Sequence, residues 1–108
     1  MGIERRTEPR RKTMLQGRVM WGPNGVMWAD CTVRDLSSGG AKISLKSAMP
    51  PGDFCLMIVP LAVAYEATPR WLRDEYAGVK FREKYDLRGT LPARLQYLHE
   101  VWKTLSAS

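Results

Sequence analysis

Apolar and polar residues alternate along most of this chain. Leu15, Gly17, Val19 and Trp21 interleave with Gln16, Arg18 and Met20, the period of two that marks a half-buried strand. A Gly22-Pro23-Asn24-Gly25 cluster supplies a turn. Met27, Ala29, Cys31 and Val33 then alternate with Trp28, Asp30, Thr32 and Arg34, which leaves Trp28 on the outward phase. Ala41, Ile43 and Leu45 form a third strand, and Phe54, Leu56 and Ile58 begin a fourth after Pro50-Pro51-Gly52. A fifth runs near Tyr65 to Trp71, with Tyr65, Ala67 and Trp71 on one side, and Pro69 marks an edge or a bulge there. The sixth, Tyr76 to Phe81, turns Ala77, Val79 and Phe81 inward.

The period changes after Gly89. Leu91, Leu95, Leu98, Trp102 and Leu105 step by four, three, four and three, the apolar stripe of an amphipathic helix over about residues 90–105. Thr90 is its expected N-cap and Pro92 fits its first turn. The stripe is expected to plug an open side of the barrel; the sharper alternative is that its exposed part docks a partner. Short antiparallel strands with turns between them make an all-β domain, a small barrel or a sandwich. A parallel sheet is disfavoured, because no helical crossover separates successive strands.

At 108 residues the chain has room for one small domain, and 44% hydrophobic with 26% charged residues excludes wholesale disorder. The longest apolar run, Phe54 to Ala64, is broken by Pro60 and falls short of the ~18–20 residues that span a bilayer. The amino terminus is charged where a signal peptide would be apolar, so a cytoplasmic location is expected and no membrane partner. Cys31 and Cys55 read as reduced, buried thiols. One histidine, His99, lies far from any candidate nucleophile, so neither a metal hydrolase site nor a Ser-His-Asp triad can be assembled. The chain is expected not to be an enzyme, with no cofactor and no metal.

Charge is concentrated at the amino end. The net charge is +6, and over residues 1–18 six cations face two acids, so the remaining ninety residues carry only +2. A basic arm, residues 1–12, thus precedes a nearly balanced body, residues 13–108. Such an arm favours an anionic partner. Pro9 disfavours a helix there, and in an extended chain Arg6 and Arg10 point to the same side about 13 Å apart. Their planar forks match phosphate oxygens and the O6/N7 edge of guanine. A second cluster, Asp35-Leu36-Ser37-Ser38-Gly39-Gly40, is by itself an ordinary turn. If it stays extended, Asp35 and Ser37 lie on one side, and Gly40 lets a ligand approach the backbone.

Arg6-x-x-x-Arg10 followed by Asp35-x-Ser37-x-x-Gly40 between strands resembles the PilZ family, receptors for the bacterial second messenger cyclic di-GMP. The segment Tyr76 to Phe81 is similar to that family's closing strand, and the resemblance covers nearly the whole chain. It implies a six-stranded antiparallel barrel with a C-terminal helix. It also implies that Arg6 and Arg10 clamp guanines and phosphates while Asp35, Ser37 and Gly40 line the opposite wall. Arg5, just before the arm motif, is implied as a further contact that accompanies two stacked ligand molecules. Trp71 is a candidate wall for a guanine base. The chain is expected to act as a stand-alone receptor whose arm orders on binding and which signals to a downstream protein not named by the sequence. The alternative is a small basic barrel that binds RNA or single-stranded DNA. Against it, no stripe of basic and aromatic residues crosses the strands. A PilZ-type interaction module without ligand is a third reading, disfavoured by the intact motifs.

Overall fold

The computed structural model describes residues 10–107. Within them the alternating segments become six strands: β1 (Arg11–Trp21), β2 (Met27–Leu36), β3 (Gly40–Ser44), β4 (Phe54–Ile58), β5 (Val63–Arg73) and β6 (Tyr76–Asp86). Consecutive neighbours are antiparallel, and β4 pairs back onto β1 to close a barrel in the order β1-β2-β3-β6-β5-β4. The turn between β1 and β2 uses the residues expected of it: Gly22, Asn24 and Gly25 all have positive φ, which costs least at glycine and asparagine. Because β1 begins at Arg11, Arg11 and Lys12 pair with Leu36 and Asp35 of β2.

One core fills the barrel, with Val19, Val33, Ile43, Leu56 and Ile58 among its buried side chains. A second lies outside it, where Met20, Cys55, Met57 and Ala64 pack beneath Leu91, Leu95 and Leu98. β4 is therefore buried on both faces, which is why Phe54-Cys55-Leu56-Met57-Ile58 is apolar throughout and does not alternate. The expectation that the C-terminal stripe fills an open side is corrected here. The barrel is closed, and the stripe covers the outer wall of β1, β4 and β5 instead. Trp102 fastens it, donating its indole N–H to the Val59 carbonyl at 3.0 Å.

The helix start also differs. α1 runs Tyr97–Ser106, preceded by a 3-10 turn at Ala93–Leu95, and Thr90 is not its cap. Pro92 disfavours helical geometry in the residue before it and is itself extended at ψ 152°. Leu91 consequently enters the outer core as loop, with its carbonyl accepting from Gln96 Nε2 at 2.6 Å. Glu66 ties this segment to the barrel, accepting hydrogen bonds from Tyr85 and Arg94, each at 2.8 Å.

Two irregularities in the β5–β6 pairing set the outer surface. After Pro69, two steps along β5 match one along β6, so Arg70 has no partner and the phase reverses. Trp71 therefore does not share the inner side with Tyr65 and Ala67. It faces outward, 44% exposed, while Tyr65 stacks on Phe81 inside with ring centroids 3.7 Å apart. Cys31 and Cys55 are both free and buried, and burial pushes each thiol up to about 12.

Candidate functional site

The loop between β2 and β3 is short and tightly bonded. Ser37 donates its backbone N–H to the Gly40 carbonyl at 2.9 Å, and its hydroxyl donates to the same oxygen at 3.3 Å. Phe81 donates its N–H to the Gly39 carbonyl at 2.9 Å, pinning the loop onto β6. Gly40 pairs with Lys80, and a side chain at residue 40 would collide with the Val79 carbonyl oxygen. Glycine is thus required by the close passage of β3 along β6.

A second glycine shapes the same surface. Gly78 pairs with Lys42 on one side and Trp71 on the other, and the Trp71 indole occupies the space that a Gly78 side chain would fill. Loop, glycine and indole together bound a cleft of about 310 Å³. Arg10 enters it from the start of the described chain, Ser37 from the loop, Gly40 from the start of β3, Arg70 and Trp71 from β5, and Lys80 from β6. No carboxylate lines it, and none of its three cations has an ion-pair partner among the described residues. The result is a cationic recess with one flat aromatic wall.

Of the residues singled out by sequence, Arg10, Ser37, Gly40 and Trp71 meet in this cleft. Asp35 does not line it. Its carboxylate, on a residue only 8% exposed, sits between Lys42 Nζ at 3.2 Å and Lys12 Nζ at 3.8 Å. Arg5 and Arg6 lie outside the described residues. Sequence reasoning missed Arg70, Gly78 and Lys80. Gly78 was the legible one, since a glycine inside a strand pattern marks a bulge or a close approach. Pro69 signals the bulge that carries Arg70, but the register that brings Arg70 and Lys80 to this cleft is announced by no local pattern.

The groups that line the cleft suit contact with an anion. The cleft holds cations, a hydroxyl and backbone groups, and among the described residues no group of three or more His, Cys, Asp or Glu is arranged to hold a metal. His99, on α1, has Nε2 3.0 Å from the Gly89 carbonyl, away from the cleft. No described helix is long and apolar enough to cross a membrane. Compared with known protein families, residues 4–95 match the PilZ domain. No curated protein matches the chain.

Proposed function

The chain belongs to the PilZ domain family, whose domains are receptors for cyclic di-GMP, and on that premise we propose that it binds cyclic di-GMP between its N-terminal arm and the Arg10–Trp71 cleft. The observation that carries this reading is the meeting of Arg10 with Ser37, Gly40 and Trp71 in one recess that no described acid lines. Arginine forks suit both parts of the ligand, its phosphates and the O6/N7 edge of guanine. Arg6 and Arg10 act as the clamp, and Arg5 adds a contact that favours a stacked ligand pair. Trp71 offers a ring face to a guanine, while Arg70 and Lys80 add positive charge close to the phosphates.

Asp35 is the wall residue farthest from its working state. To accept from a guanine amino group, its carboxylate must exchange part of its bonding with Lys12 and Lys42. Lys12 is free to leave, because its side chain is 92% exposed. Closing the arm over the cleft builds a new surface, and that surface signals to a downstream protein. The domain works by binding, not by catalysis, and in the bacterial cytoplasm, where the messenger acts. Calorimetric titration with cyclic di-GMP tests this. Saturable binding is expected, with two ligands per chain if the pair is stacked. A folded sample that gives no heat at saturating nucleotide, or that prefers a single-stranded oligonucleotide, overturns the reading.

A further inference from the structure

A larger cleft, about 550 Å³, opens at the end of the barrel on the other side of the β2–β3 loop. Its floor is aliphatic, made by the exposed Leu61 together with Leu36 and Val63, which are largely buried in the barrel core. Its rim is cationic, made by Arg11, Lys84 and Arg88. No acid lines it. Among the described residues Arg11 and Lys84 have no ion-pair partner, and Arg88 has only the exposed Asp86 at 3.6 Å.

We infer that this barrel mouth is a docking site for an acidic peptide segment that carries an apolar anchor residue. The aliphatic floor takes the anchor, which loses water on seating. The three rim cations take flanking carboxylates, and two of them have no ion-pair partner among the described residues. A nucleic-acid strand fits the mouth less well. Tyr65, the one aromatic ring lining it, already lies stacked on Phe81, so it offers no platform for a base. Ser37 lines both this mouth and the Arg10–Trp71 cleft, so the docked segment abuts the nucleotide site. The inference does not depend on nucleotide binding.

The test is a ¹⁵N NMR titration of the nucleotide-free protein with a pool of blocked hexapeptides. Each peptide carries Leu, Phe or Met at one position and Asp or Glu at the rest. Saturable shifts are expected at Ser38, Leu61, Lys84 and Arg88, with at least a tenfold loss of affinity in K84E/R88E. Both substituted side chains are exposed, so the variant keeps the wild-type amide pattern elsewhere. The inference is overturned if mouth resonances stay still, if the variant binds as well, or if a pool with Ser and Asn replacing the acids does as well. It is equally overturned if a ten-residue oligothymidylate produces the same shifts more tightly. A cyclic di-GMP titration of the same sample reports separately on the nucleotide reading.

Discussion

The Trp71 indole lies against Gly78 of the neighbouring strand, in the volume that any side chain at residue 78 would need. The bulge at Arg70 turns the ring outward, and the glycine lets it lie close to the sheet. Each depends on the other. An aromatic wall is built from a register shift and a missing β-carbon, without a dedicated loop.

Trp71→Ala is expected to weaken cyclic di-GMP binding by about 1–3 kcal/mol, the usual worth of a base–aromatic stack. Gly78→Val, which leaves the indole in place chemically but evicts it sterically, should weaken binding in the same direction. Calorimetry reads both. Unchanged affinity in Gly78→Val with an altered tryptophan emission spectrum would show that the ring's position does not matter to the ligand.

Arg6→Ala and Arg10→Ala are each expected to cut affinity at least tenfold, because a hydrogen bond to a charged group contributes about 1.5–3 kcal/mol. Arg10 is exposed and has no ion-pair partner among the described residues, so Arg10→Ala should leave the melting temperature within a degree or so of wild type. Wild-type affinity should also fall as salt rises, since the attraction is between exposed charges. Retained affinity in both variants removes the clamp.

How much of this was readable in advance differs from residue to residue. Five of the six strands followed from alternation and β4 from an apolar run after Pro50-Pro51-Gly52, and Trp28 stands half exposed as its outward phase required, under the Arg18 guanidinium at 3.7 Å. Period-two counting places Trp71 on the wrong side because it assumes unbroken pairing, and one unpaired residue reverses every side chain beyond it. The helix start failed for a related reason. The apolar spacing from Leu91 to Leu105 is helical, yet Pro92 keeps the first residues out of the helix while leaving Leu91 in the same core. Within the site, Ser37 and Gly40 were visible as a turn motif, whereas Arg70 and Lys80 reach the cleft through long-range register.

Asp35→Asn should separate binding from stability. Its two lysine partners can turn to water when the charge is removed, Lys12 most freely, so the stability loss should stay near 1 kcal/mol. If the carboxylate accepts from guanine, affinity falls by more than that. Urea melts and calorimetry on one preparation compare the two, and an affinity loss no larger than the stability loss would assign Asp35 to the fold alone.

Alkaline pH should destabilise the protein through its thiols. Burial pushes Cys31 and Cys55 from 9.0 up to about 12, the nearby Asp30 adding to the effect at Cys31. Below pH 9 both states keep these protons. Between about 9 and 12 the unfolded chain gives them up while the folded chain holds them, so stability falls as pH rises. Each thiol contributes about 1.4 kcal/mol per pH unit across that window. Tyr97 acts in the same direction, damped by its partial contact with solvent. Urea midpoints at pH 8, 9.5 and 10.5 measure the slope, which should flatten in a Cys31→Ala, Cys55→Ala double variant.

Ser37 borders two recesses at once. Thermodynamic linkage then imposes reciprocity on whatever occupies them: the free energy by which one guest helps or hinders the other is returned in equal measure. A messenger that recruits a protein at such a junction is itself held more tightly once that protein has arrived.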